Sequence, residues 1–303
     1  DWLWAKDKNY ANNHILIDSS RGVTKYLQSS QTSAEATDSN ILQSFDSDGF
    51  TTIGQGINYA SISDYVAWLW KANGGTTSSN TQGTVTSTVQ ANTIAGFSII
   101  QYVGTGSALS YGHGLDERPT FYIVKDRDAT NAWFIQYFDG SSDYYLAFST
   151  ASATSLSNFT PDATKMNYGG SSTLINTSSR NYIVYAFHSV PGYSKVGTYV
   201  GNSSTNGTYV YVGFRPAFVL IKNTTVGGNW CLFDNKNTPI NPVNLMMLAD
   251  TAGTQSAGGT GDNLDFLSNG FKLRDNSSGR NATGSTYLYL AFAEQPFKFS
   301  NSK

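Results

Sequence analysis

Asp126 and Asp128 alternate around Arg127 just after an apolar stretch, and a pair of carboxyls is what glycoside hydrolysis requires. That reaction places its two carboxyls about 5–10 Å apart across the sugar, one of them serving as acid. Glutamate is scarce, with only Glu35, Glu117 and Glu294, and no acidic pair on an apolar strand includes one. Asp126 and Asp128 therefore read as a turn closed by an ion pair, and no catalytic residue is assigned. Asp46-Ser47-Asp48-Gly49 begins like a calcium loop, but Ile57 and Asn58 stand where its closing acid belongs. Asp-Gly is a turn dipeptide, so a hairpin turn is expected there, and neither Ca²⁺ nor any other metal or cofactor is assigned.

Nucleophilic chemistry is equally thin. The three histidines lie far apart, and no Ser-His-Asp order stands out. No phosphate-binding loop is present. Cys231 is alone, which excludes an internal disulfide and a four-cysteine zinc site; it follows Trp230 in an apolar stretch and is expected to be buried. Sugar binding suits the composition better. Aromatic faces stack on the apolar side of a sugar ring, Asn and Asp address its hydroxyls, and a net charge of −2 fits a neutral ligand. Binding residues are expected on loops, here 126–132, 139–144, 202–208 and 223–229. The ligand-binding candidates are Asn131, Tyr144, Tyr145, Asn229 and His113, the last held between two glycines.

The elements that must position these residues are β-strands. Aromatics make up 14% of the 303 residues and charged residues only 13%, so the chain can bury enough apolar area to be ordered. Lys and Arg total 19 against 21 Asp and Glu, which excludes a basic nucleic-acid binder. No apolar run is long enough for a membrane-spanning helix. Short runs rich in Tyr, Phe, Val, Ile and Thr alternate with turn dipeptides such as Asp48-Gly49, Asn206-Gly207 and Asn269-Gly270. Helical periodicity is weak, and Tyr26 to Ala36 is the one stretch that could form a short helix. The expected fold is all-β: tandem β-sandwich or jelly-roll-like modules.

An internal repeat sets their number. Trp2-Leu3-Trp4-Ala5-Lys6 matches Phe121-Tyr122-Ile123-Val124-Lys125 and Phe218-Val219-Leu220-Ile221-Lys222. Eight residues after each Lys stands a ring, His14, Trp133 or Trp230, for which a core role is expected. Each unit closes on an aromatic strand opened by Tyr65, Tyr182 or Tyr287, which lie 59, 57 and 65 residues after the Lys. The second and third units share an opening as well. Tyr102-Val103-Gly104 and Tyr199-Val200-Gly201 each precede a proline, and the Tyr-to-Pro spacing is 17 in both. The first unit lacks this opening, so its missing strands are expected from another chain, an upstream segment or the C-terminal tail. The boundaries follow: module 1 over 1–75, a Gly/Ser/Thr-rich linker over 76–91, module 2 over 92–190, and module 3 over 191–303 with a short tail.

These repeats resemble a family of environmental, chiefly marine, bacteriophage proteins: large virion-associated or tail-fibre-like chains with a repeated lectin-like domain. The matching stretches include His14-Ile15-Leu16-Ile17-Asp18, Gly96-Phe97-Ser98, Gly112-His113-Gly114-Leu115, Pro191-Gly192-Tyr193-Ser194, Gly213-Phe214-Arg215-Pro216, Asp265 to Arg274, and Tyr287 through Phe297-Lys298. The resemblance implies a virion-surface, extracellular protein, a tail-fibre or decoration component that binds a host-surface glycan or another virion protein. A homo-oligomer is expected, because weak sites gain from avidity, and neither nucleic acid nor membrane insertion is expected. The alternatives are a self-assembling fibre or filament subunit completed by strand exchange and, further back, a polysaccharide-degrading enzyme.

Overall fold

The computed structural model describes residues 1–54, 57, 63–256, 261 and 263–295. The C-terminal tail, with Phe297-Lys298, and Asn58 lie outside the described residues. Among the described residues there are strands and turns but no helix, so the fold is all-β. Tyr26–Ala36 joins two short strands instead of forming a helix, as its Ser- and Thr-rich composition favours.

The first unit holds β1 (Trp2–Asp7), β2 (Ile15–Asp18), β3 (Lys25–Leu27), β4 (Ala36–Thr37), β5 (Leu42–Phe45), β6 (Phe50–Thr52) and β7 (Tyr65–Trp70). The second holds β8 (Ser78–Asn80), β9 (Ser87–Asn92), β10 (Phe97–Val103), β11 (Leu109–Gly112), β12 (Phe121–Asp126), β13 (Phe134–Phe138), β14 (Asp143–Leu146), β15 (Thr154–Leu156), β16 (Lys165–Tyr168) and β17 (Asn181–Phe187). The third holds β18 (Ser194–Val200), β19 (Tyr209–Tyr211), β20 (Pro216–Asn223), β21 (Cys231–Asp234), β22 (Met247–Leu248), β23 (Leu264–Leu267), β24 (Gly270–Leu273) and β25 (Thr286–Ala293).

Each unit is a two-layer sandwich. The main sheets run β4-β3-β2-β1-β7, β15-β14-β13-β12-β17-β10-β9-β8, and β18-β25-β20-β21-β22, all antiparallel. The second layers are β5-β6, β11-β16 and β19-β24-β23. Side chains of the main strands alternate between two cores, which is why these strands read as continuous apolar runs. On β12, Tyr122 and Val124 face the second layer, while Phe121 and Ile123 enter a central core shared by all three units. On β1, Leu3 and Ala5 face the second layer and Trp2 and Trp4 the central core. On β20 the same division separates Val219 and Ile221 from Phe218 and Leu220.

Aromatic rings knit the central core across the units. Trp2 of the first stacks on Tyr185 of the second at 4.3 Å, and Phe148 of the second meets Trp230 of the third at 5.5 Å. Trp70 of the first closes the circuit on Phe292 of the third at 5.4 Å. Each such ring removed from water contributes on the order of 1.5–3 kcal/mol.

One boundary differs from the sequence expectation. The 76–91 stretch carries β8 and most of β9, which extend the second sheet rather than linking free modules. Gln90 on β9 then stitches that sheet to the first unit: its amide nitrogen donates to Ser20 Oγ, and its carbonyl oxygen accepts from Ser19 Oγ and the Gly75 N–H.

Candidate functional site

Most polar groups singled out by the sequence turn out to hold the chain together. Asp126 is buried, accepts from Asn131 Nδ2 (2.8 Å) and the Asp128 N–H, and pairs with Arg180 at 2.9 Å. Asp128 accepts the N–H and the side-chain amide of Asn181. Asp46 closes the β5–β6 hairpin by accepting from Ser44 and Thr51, which is the turn expected of Asp46–Gly49. No cluster of three potential metal ligands occurs among the described residues.

The five ligand-binding candidates do not converge. His113 is fully buried. Its Nδ1 accepts the Leu115 N–H, so Nε2 carries the proton and donates to the Asp162 carbonyl at 3.2 Å. Burial lowers its pKa, and the ring pins the Leu115 N–H to the Asp162 carbonyl within the second unit. Asn131 is tied to Asp126 and to the Thr173 carbonyl. Tyr144 stacks on Tyr137 at 5.2 Å and Tyr145 on Phe134 at 4.9 Å, both half-buried on β14 against different cores. Asn229 lies half-buried at the approach to β21 in the third unit.

The ring positions are core, and they also bind across units. Trp133 Nε1 donates to the carbonyls of Gln28 and Gln31, and Trp230 Nε1 donates to that of Ala147. His14 Nδ1 accepts from Trp4 Nε1, leaving Nε2–H to donate to Leu248 of the third unit.

A groove of about 430 Å³ lies on the second unit, within the range of small-molecule sites. It is built by the loop after β15 lying across β11 and β16. Phe159 is the anchor: it is 1% exposed and packs on Tyr122, Phe134 and Tyr168. Its neighbours Asn158 and Thr160 therefore face outward, and their main chains pair with Gly169 and Asn167. The opposite wall is Thr84 against Ser110, where the Val85 N–H donates to the Ser110 carbonyl. Gly83 makes that approach possible, since a Cβ there would stand 2.2 Å from the Ser110 oxygen.

The lining combines hydroxyls and amides with the Tyr168 ring and the apolar Ala108 and Leu109, and holds no carboxylate or cation. Among the described residues the side chains of Ser157, Asn158 and Thr160 form no hydrogen bond with the protein, so their donors and acceptors face solvent. Behind the wall lies Asp162. Burial raises its pKa, but the N–H groups of Thr164 and Lys165 and the side chains of Thr164 and Asn167 outweigh that and hold it well below the usual carboxylate range. Sequence reasoning missed this groove because Ser, Thr and Asn are common throughout the chain. The available signal was the apolar Phe159 set between two polar residues.

Fold and groove define an all-β protein of three fused sandwich units with an uncharged surface cleft. The chain belongs to the family described as Domain of unknown function (DUF7483), which matches residues 1–296. No curated protein and no solved structure matches it.

Proposed function

We propose that this chain is a virion-surface module, part of a tail fibre or decoration, that binds a neutral host-surface glycan in the groove beside Phe159. The observation that carries the glycan is the uncharged lining: hydroxyl and amide groups beside one tyrosine ring and the apolar Ala108 and Leu109, with three of the polar side chains unused by the protein. Such groups exchange hydrogen bonds with sugar hydroxyls in place of water, and each net contact adds about 0.5–1.5 kcal/mol. A site this open binds weakly, and multiple copies on one particle would supply the avidity. The virion assignment rests on the repeat's resemblance to phage fibre proteins. The fused units suit it, because a shared aromatic core makes a rigid spacer.

The test is a titration of the chain with neutral polysaccharides from bacterial surfaces, alongside an Asn158→Ala/Thr160→Ala variant. Both side chains are exposed, so the variant keeps its thermal midpoint. The expected result is saturable binding to at least one polysaccharide, weakened about tenfold or more in the variant. Binding that ignores the variant, or none across the set, refutes the reading.

A further inference from the structure

Another groove, of about 450 Å³, lies on the third unit between the start of β18 and the end of β19. Its walls are Ser189, Pro191 and Gly192 ahead of β18, Lys195 on it, and Tyr211 to Gly213. Strand alternation decides what faces it. Val210 and Val212 enter the core of the third unit, so Tyr211 between them points outward and is 60% exposed. Lys195 lies on the same face of β18 as Tyr199. Its ammonium crosses to β19, donating to the Tyr211 carbonyl at 3.2 Å and standing 5.4 Å from the centre of the Tyr211 ring.

The second unit shows what these two positions carry when they serve the fold alone. Lys195 pairs with Ala291 as Ser98 pairs with Ala186, so Lys195 corresponds to Ser98. The common spacing to Pro216 and Pro119 makes Tyr211 correspond to Gly114. Ser98 is 0% exposed, and its hydroxyl donates to the His113 carbonyl. A Cβ on Gly114 would stand 2.6 Å from the Val89 side chain of β9, so β9 fills that seam. In the third unit both positions change together, to a long cation and an exposed ring.

These groups are also unspent. Among the described residues no carboxylate pairs with Lys195, no acidic side chain lines the groove, and the Tyr211 hydroxyl has no hydrogen-bond partner. Ser189 Oγ accepts the Val196 N–H, which leaves its own proton without an acceptor there.

We propose that this groove is a second sugar site, for a pyranose ring that carries an anionic group. The apolar face of the sugar stacks on Tyr211, the anionic group lies against Lys195, and the Ser189 hydroxyl addresses a sugar oxygen. An ammonium is a point charge with rotatable donors, so a carboxylate and a sulfate present it with the same chemistry. An exposed ion pair adds little alone, so ring and charge act together. The ring separates this ligand from a bare anion, and the ammonium separates it from the neutral sugar assigned to the groove beside Phe159. The site stands on its own residues and does not rest on that assignment.

The probes are three oligosaccharides of equal length, one built of hexuronates, one sulfated and one neutral, together with inorganic sulfate. Each is titrated at low salt into the intact chain and into the Asn158→Ala/Thr160→Ala variant, which leaves the groove on the third unit untouched. In that variant the expected result is saturable binding of at least one anionic oligosaccharide, about tenfold or more tighter than the neutral one and than inorganic sulfate. Added salt weakens it, because the charge pair is exposed. Lys195→Gln keeps a donor for the Tyr211 carbonyl and removes the charge, so anionic and neutral sugars then bind alike and the salt dependence disappears. Tyr211→Ala, at an exposed position, keeps the thermal midpoint and weakens anionic-sugar binding about tenfold, whereas Tyr211→Phe retains it. The proposal is overturned if neither anionic oligosaccharide binds, if inorganic sulfate binds as tightly as they do, or if binding ignores Lys195→Gln or Tyr211→Ala.

Discussion

The ammonium group of Lys125 lies 3.0 Å from the carbonyl oxygen of Thr32, a residue of a different repeat. The same nitrogen donates to the carbonyls of Ala129 and Asn131 at 3.3 and 2.9 Å. Lys222 repeats the arrangement, donating to Ser149 of the second unit at 2.6 Å and to its own Gly228. Burial lowers the pKa of both lysines to about 8, although Asp126 beside Lys125 and Asp250 near Lys222 resist the shift. In the second and third units the repeated lysine is therefore a clamp between neighbours, with its charge delivered to backbone oxygens, whereas Lys6 donates to Asp7 and Tyr10 of its own unit.

Lys125→Met leaves those three carbonyls without their donor in a site where water does not replace it. The expected loss is about 2–4 kcal/mol in urea unfolding, since buried polar groups left unpaired cost more than the bond itself contributes. The exposed Lys236→Met is the comparison and should stay within about 0.5 kcal/mol. A Lys125 variant as stable as the Lys236 variant would remove the clamp from the account.

Glu35 makes the corresponding contact between charged groups. It bridges Arg21 of its own unit at 3.1 Å and Arg127 of the second unit at 2.8 Å, while Arg21 also holds Asp18 and the Tyr185 hydroxyl. Burial raises its pKa, but the bond from Arg127 and the charge of Arg21 outweigh that and hold it below the usual value. Glu35→Gln should cost about 2 kcal/mol at pH 7, less than a wholly buried pair because Arg127 is partly exposed. A depressed carboxyl contributes fully above its unfolded pKa and loses that contribution as pH falls through the folded value. The gap between variant and parent should therefore close in acid; a gap that persists at pH 2 contradicts the assignment.

His14 sets an acid limit of the opposite chemistry. Burial, with the nearby charge of Lys6, lowers its pKa to about 3 against the pull of the Leu248 carbonyl. Between about pH 6.5 and 3 the unfolded chain binds a proton at this ring that the native state refuses, so stability falls as pH drops through that window. His113, also lowered by burial, adds in the same direction. His14→Gln keeps a donor and an acceptor without titrating. Its stability should fall less steeply between pH 6.5 and 4.5, by about 1.4 kcal/mol per pH unit. Parallel profiles for the two proteins would show that the ring already titrates normally.

These contacts explain what the sequence reveals. The lysine, the ring and the closing aromatic strand recur at equivalent places in the three main sheets, so the β-strand pattern and the number of units are readable. The closure of three units around a single core is not, because Lys125, Trp133 and Trp230 reach backbone carbonyls of their neighbours, and a carbonyl carries no residue identity. The 76–91 stretch hides for a related reason: strands at a sheet's rim need main-chain partners more than apolar side chains, and Ser, Thr and Gln suffice. Two of the loops expected to bind ligand, 126–132 and 223–229, form joints between units.

The loop at 223–229 makes that last point testable. Gly228 N–H donates to the Thr150 carbonyl, and Ala153 N–H donates to that of Thr224, so two segments from different units are bonded main chain to main chain. Gly227 sits between them with φ +82°, and a Cβ there would stand 2.1 Å from the Thr150 oxygen. Gly227→Ala must both strain its backbone and push the units apart. Gly22, with φ +97°, faces open space, so Gly22→Ala meets backbone strain alone. Strain of that kind costs about 1 kcal/mol or somewhat more, and the inter-unit clash should bring Gly227→Ala to roughly 3 kcal/mol or beyond. A loop devoted to ligand would tolerate the change and lose binding instead. Equal stability losses for the two alanine variants would mean the joint yields, and that the units hold together through their aromatic core alone.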